Sequence, residues 1–197
     1  MVFSYGINKM NMNFIEIYDD ALPPENCDKL IDYFNKSPQA EGCVGEGIVN
    51  HLSKKSIELE NSYFTFHKSA SHLIYSTLTE YTNRYVEKYI PLKYMRKWGV
   101  DDEFTLKKFE GEDEGFKAWH TEHSRHTPYR ILVWMFYLND AQSGTEFFHH
   151  HNIESKKGRL VIWPAGWTHH HRGVTPNKGI KYVMSGWYSF KEINKKY

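Results

Sequence analysis

Hydrophobic and polar positions follow two different grammars along this chain, and the change falls near residue 100. Residues 14–18 (FIEIY) alternate as a short strand does. Behind Pro23 and Pro24, the residues Cys27, Leu30, Ile31 and Phe34 recur at helical spacing, which predicts an amphipathic helix over about 24–36. A longer helix is predicted over 69–90, where Leu73, Ile74, Leu78, Tyr81, Tyr85 and Tyr89 return every three or four residues until Pro91 stops the pattern. Between the two, 38–62 is rich in Gly and Ser, mixed in charge and poor in large apolar residues, so it reads as mostly loop with room for one short strand.

From about 103 onward the chain becomes a series of short apolar or alternating runs separated by turn residues: EFTLKKF, RILVWMFYL, TEFF, RLVIW and KYVMSGWYSF. That is the pattern of a β-domain. The run 130–138 is apolar on both parities, which predicts a central strand covered on both faces, with the N-terminal helices as natural cover for one of them. There is no internal repeat, low-complexity tract or linker, so residues 1–197 are expected to form a single domain, with 1–100 as mainly helical support and 101–197 as the β-barrel core that carries the site.

Composition narrows the function classes. With 25 Lys+Arg against 24 Asp+Glu the net charge is +1 and the basic pairs are scattered, so no stable nucleic-acid binding is expected. No run approaches the roughly 20 apolar residues a membrane helix needs. The start, MVFSYGINKMNMNF, lacks the charged and apolar regions of a leader, which points to a cytoplasmic protein. Cys27 and Cys43 are too few for a disulfide framework and lack Cys-x-x-Cys spacing, as suits a reducing compartment. The unusual figure is histidine: of 12, nine fall between 120 and 171.

In FKAWHTEHSRH, His120 and Glu122 are two apart, and in extended backbone such residues share a face, so both can reach one metal ion. A third ligand has to come from elsewhere, and WTHHHRG at 167–173 supplies it. His169 and His171 would share a face in a strand; His171 is preferred because Lys181 follows it by ten residues and opens the next strand. Two imidazoles and one carboxylate leave octahedral positions open, as in the facial triad of non-haem Fe(II) oxygenases, whereas structural zinc sites close with Cys and His. An ammonium group reaching into the same barrel would pair with an anionic co-substrate. His123, His126 and His149 to His151 read as loop or surface residues. Trp119, beside the first ligand, and Arg172 are candidate substrate contacts, with core packing and a surface ion pair as the plainer alternatives.

These residues give the segment 104–190 a resemblance to the iron- and 2-oxoglutarate-dependent dioxygenases, in particular the prolyl 4-hydroxylase-like branch, and NFIEIYDDALPPENCDKLIDYF is similar to that branch's opening strand and helix. The resemblance implies a double-stranded β-helix (jelly roll) with buttressing α-helices. It implies Fe(II), 2-oxoglutarate and O2 as cofactors, with ascorbate as an optional reductant. His120, Glu122 and His171 would be the iron ligands. Lys181, with Thr145 in a Gly-Thr turn, would hold the distal carboxylate of 2-oxoglutarate, and Arg130 would face the substrate. The expected activity is hydroxylation of an unactivated C–H bond on a peptidyl (prolyl) or amino-acid substrate, and the oligomeric state stays open. Two departures stand out: Glu122 replaces the usual Asp, and Phe109 lies where the family often has a Tyr that binds 2-oxoglutarate. The rival readings are a non-catalytic metal-binding jelly-roll interaction module and a cupin-like metalloenzyme that does not use 2-oxoglutarate.

Overall fold

The computed structural model describes residues 12–45, 47–62 and 68–191. Twelve strands and two α-helices follow one another as β1 (Glu16–Tyr18), α1 (Pro24–Lys36), β2 (Ala40–Glu41), β3 (Lys54–Lys55), β4 (Ile57–Ser62), α2 (Lys68–Lys88), β5 (Trp98–Glu110), β6 (Gly115–Phe116), β7 (Arg130–Tyr137), β8 (Ala141–Phe147), β9 (Ile153–Ser155), β10 (Leu160–Pro164), β11 (His171–Val174) and β12 (Ile180–Phe190). A major sheet has the order β1-β10-β7-β12-β5-β4-β2, a minor one β11-β8-β9, and β3 pairs with β6. All the pairings are antiparallel. This is the expected jelly roll with helices buttressing one sheet.

Both helices lie where the apolar spacing puts them. Pro24 opens α1, where its fixed φ suits the first turn, and Cys27, Leu30 and Phe34 form its buried face. On α2, Ile74, Leu78 and Tyr85 are buried, and the short 3-10 turn Ile90–Tyr94 takes over at Pro91. Both helices pack on one face of the major sheet through Leu132, Trp134, Phe136, Met184 and Tyr188. The other face carries Val133, Tyr137 and Val183, which meet Phe147 and Ile153 of the minor sheet. Strand β7 therefore sits between β10 and β12 with both faces covered, as its unbroken apolar run requires. Where β12 crosses the helix-facing side, a Cβ on Gly186 would lie 2.5 Å from the Trp134 ring, so only glycine lets the two strands keep their spacing there.

The stretch 38–62 departs from the loop reading. It holds β2, β3 and β4, and β4 pairs along its whole length with β5. The strand escaped the sequence pattern because its inward positions are charged: Ile57 and Leu59 pack toward the helices, while Glu58 and Glu60 line the barrel interior. The short strands β6 and β9 also lie in runs too polar to signal strand.

Candidate metal centre and cavity

The two histidine-bearing segments are joined through their backbones. His120 N–H donates to the His171 carbonyl and His171 N–H to that of His120, both at 3.0 Å, and Glu122 N–H donates to Ala165 O at 3.1 Å. On the other side, Lys117 and Ala118 donate to Ser53 O at 2.8 and 3.0 Å, so this strip is pinned along both edges. Reciprocal pairing of 120 with 171 fixes which downstream histidine faces Glu122.

The side chains converge accordingly. Glu122 Oε1 lies 3.8 Å from His120 Nε2 and 3.5 Å from His171 Nε2, and the ligand atoms of all three residues fall within 4.8 Å of one another. His120 Nδ1 is 2.9 Å from Ala118 O and His171 Nδ1 is 3.0 Å from His169 O. Each carbonyl accepts a proton from Nδ1, which leaves both Nε2 lone pairs free, the tautomer a metal ion requires. Glu122 Oε2 accepts from Trp187 Nε1 at 2.9 Å and from Arg130 Nη1 at 3.3 Å, and the Arg130 guanidinium stacks on the Trp187 ring at 3.5 Å. The longer side chain in place of Asp thus has one oxygen tied to the wall and one aimed at the imidazoles. Burial, reinforced by the nearby His171, lowers the His120 pKa to about 4. Burial pushes the Glu122 carboxyl up, but the neighbouring imidazoles of His171 and His120 and the Lys107 charge outweigh it and hold the group below the usual carboxylate range.

The triad opens into a cavity of about 580 Å³ that also exposes Lys181 and Thr145. Lys181 is 2 % exposed. Its ammonium donates to Gly144 O at 3.1 Å and Val174 O at 2.9 Å and lies 4.9 Å from the centre of the Phe109 ring. Among the described residues no carboxylate pairs with it, and burial pulls its pKa down to about 7. Gly144 and Thr145 lie inside β8, not in a turn as expected, because β9 pairs alongside them. A Cβ at 144 would sit 2.0 Å from Ile153 O, so the close pairing requires glycine. The buried Tyr137 hydroxyl donates to Thr145 Oγ1 at 2.7 Å, which leaves the threonine proton free to point elsewhere. Nothing in the sequence marked Tyr137, which is one apolar-looking member of a core strand.

Arg130 lines the cavity, and its Nε is buried without a hydrogen-bond partner. Trp119 and Arg172 stack on each other at 4.7 Å and are not among the lining residues; Arg172 Nε pairs with Glu146 at 2.7 Å. His169 ends the 3-10 turn Trp167–His169, so it does not share a strand face with His171; its Nε2 lies 2.8 Å from Asn13 O. His150 stacks on His169, while His126 lies at the cavity. Residues 43–60 contribute Cys43, Lys54, Glu58 and Glu60 to the lining, a larger part than the helical support expected of 1–100.

Known proteins share both the segment that carries the site and the fold around it. Residues 104–189 match the model of the 2OG-Fe(II) oxygenase superfamily. That segment carries His120, Glu122, His171 and Lys181, and it is what likens the chain to this superfamily. Its fold is similar to a Pseudomonas putida prolyl-4-hydroxylase (TM-score 0.71, 12% identity, covering 92% of this chain and 95% of that one). It is also similar to the viral collagen prolyl hydroxylase of Paramecium Bursaria Chlorella virus-1 in its 2OG complex (0.65, 16%, 90% and 97%). A third similar structure is a Trichoplax adhaerens prolyl hydroxylase bound to a peptide of the hypoxia inducible factor oxygen degradation domain (0.70, 12%, 93% and 86%). No curated protein matches by sequence. The match of 104–189 to the superfamily model implies Fe(II), 2-oxoglutarate and O2 as cofactors, and the residues present fit them. A buried set of two imidazoles and a carboxylate suits Fe(II), and a buried ammonium bonded only to carbonyls suits a dicarboxylate. Among the described residues no helix is long and apolar enough to cross a membrane.

Proposed function

We propose that this oxygenase hydroxylates a C–H bond of a peptidyl (prolyl) or amino-acid substrate. In this reading His120 Nε2, Glu122 Oε1 and His171 Nε2 hold the iron, and Lys181 with Thr145 receives the distal carboxylate of 2-oxoglutarate. One observation carries it: the three converging ligand atoms and the carboxylate-free ammonium share a single cavity. Iron and 2-oxoglutarate together supply the oxidising chemistry for O2-dependent hydroxylation.

The chain's own residues position and enclose. The carbonyls of Ala118 and His169 fix the imidazole tautomers, and Trp187 with Arg130 keeps one Glu122 oxygen turned away from the centre. Tyr137 donates to Thr145 Oγ1 and so leaves the threonine proton available to a carboxylate in the cavity. Phe116, stacked on His120 at 3.6 Å, and Trp163 and Phe147, packed around His171, keep water from the imidazoles. The peptide class draws support from the Trichoplax enzyme, whose structure holds a peptide, on a fold this chain shares.

The test is 2-oxoglutarate turnover with Fe(II) in air, read as succinate, across peptides, free amino acids and oligonucleotides. Succinate that rises with a peptide or amino acid, together with that molecule gaining one oxygen, is the expected result. A protein that binds no 2-oxoglutarate in an anaerobic Fe(II) titration overturns the proposal in favour of a metal-binding module.

A further inference from the structure

On the interior face of β5, Thr105, Lys107 and Phe109 point the same way, into the cavity. Phe109 lies under the Lys181 ammonium. Lys107, one position further along that face, is a second lysine in the same cavity. The protein encloses it, yet it keeps solvent contact through the cavity. Among the described residues its ammonium has one hydrogen-bond partner, Ser185 Oγ at 2.9 Å, and no carboxylate within ion-pair distance.

Glu58 is its cross-strand neighbour on β4 but is already engaged. Glu58 Oε1 accepts from Lys54 Nζ at 2.7 Å and from Ser56 Oγ at 2.8 Å. Lys54 in turn donates to Cys43 O at 2.8 Å. The Lys54–Glu58 pair is thus complete, while Lys107 lines the cavity with Ser185 Oγ, at 2.9 Å, as its hydrogen-bond partner and no paired acid among the described residues.

Lys107 does not duplicate Lys181. Its anchor, Ser185, lies four residues along β12 from Lys181, about 13 Å of strand. The Lys181 ammonium instead reaches across to Gly144 and Val174 at the minor sheet. A five-carbon dicarboxylate measures only about 5 Å between its carboxyl carbons. The two ammonium groups thus have different anchors, and the wall beside Lys107, with Thr105, Ser185, Glu60 and the Lys54–Glu58 pair, is polar where a pocket for a purely apolar side chain would be greasy.

We infer that Lys107 anchors a carboxylate of the primary substrate, so that the molecule hydroxylated carries an acidic group within the cavity, either the α-carboxylate of a free amino acid or an Asp or Glu side chain of a peptide. The inference rests on the hydroxylase reading above. A buried ammonium that forms a charge-assisted hydrogen bond discriminates strongly against a neutral isostere, because the isostere leaves the charge unpaired.

Intrinsic tryptophan fluorescence of the Fe(II)- and 2-oxoglutarate-loaded protein, held anaerobically, reads the binding of three probe sets. These are free amino acids beside their amides, capped Glu-containing peptides beside their Gln counterparts, and capped neutral prolyl peptides. In the wild type, acid probes of one set should bind about 10- to 100-fold more tightly than their amides, and the set that shows this identifies the source of the carboxylate. In Lys107→Met that preference should vanish while 2-oxoglutarate affinity stays at the wild-type value, which also shows the variant to be folded; Lys107→Arg should keep part of it. Equal binding of acids and amides by the wild type overturns the inference and leaves the hydroxylase reading standing. So does a Lys107→Met variant that loses 2-oxoglutarate itself while Lys107→Arg retains it, since Lys107 would then serve the co-substrate. A wild type that binds no 2-oxoglutarate removes both.

Discussion

The two ends of the cavity treat buried charge in opposite ways. At the β4 edge, Lys54 is 5 % exposed and donates to a backbone carbonyl, but it also meets Glu58 at 2.7 Å, so its charge is balanced inside the fold. At the minor-sheet end, Lys181 is equally enclosed and also donates to carbonyls, yet no acid faces it. An internally balanced pair holds β3 and β4 together. A balanced fold has no need of an ammonium without an acid, and such a group is stable only because two carbonyls partly solvate it until an outside anion arrives. The difference separates a structural lysine from a ligand-binding one, although both are buried lysines of the same barrel.

The metal centre between the two ends gives the sharpest test. His171→Ala should abolish Mn(II) or Fe(II) binding measured by calorimetry, whereas His169→Ala should leave it intact, because His169 Nε2 is committed to Asn13 O. The reverse result would move the ligand to His169. At the balanced end, Lys54→Met leaves Glu58 buried and unpaired, so denaturant unfolding should show a loss of about 3–5 kcal/mol. Adding Glu58→Gln should recover most of it.

At the other end the same substitution should act in the opposite sense. Lys181→Met breaks no ion pair, so stability should hold or rise, while 2-oxoglutarate affinity should fall roughly 10- to 100-fold. A variant that melts early and still binds 2-oxoglutarate normally would make Lys181 structural and erase the contrast. The same group sets a pH dependence. The Lys181 pKa lies near 7 in the free protein, below its ordinary 10.5, and an anion beside the ammonium raises it. Below about pH 7 the free group is already protonated and affinity should be flat with respect to this group. Above it, binding must take up a proton, so affinity should weaken by up to about tenfold per pH unit. Titrations of 2-oxoglutarate from pH 6 to 9 check the slope, and Lys181→Met should flatten it.

Much of this was legible from local pattern. Helix α1 and strand β7 followed from apolar spacing, because the period of a helix or strand is set by its own backbone. His120 and Glu122 declared themselves by a two-residue interval, and Lys181 by its distance from His171. The stretch 38–62 was not legible: β4 puts charged residues on the side where apolar ones would have announced a strand. Tyr137, Trp187 and Lys107 look like ordinary strand residues until their partners on β8, at Glu122 and on β12 are known.

The sequence by itself determined the β-rich architecture, the supporting helices and the residue types that a facial triad and a dicarboxylate require. Tertiary structure decided which imidazole completes the triad, which oxygen of Glu122 faces it, and which buried lysine has its charge answered from within. Periodicity is a property of neighbouring residues, whereas neutralisation depends on what another strand brings within about 4 Å, and that is set by sheet register across long sequence separations.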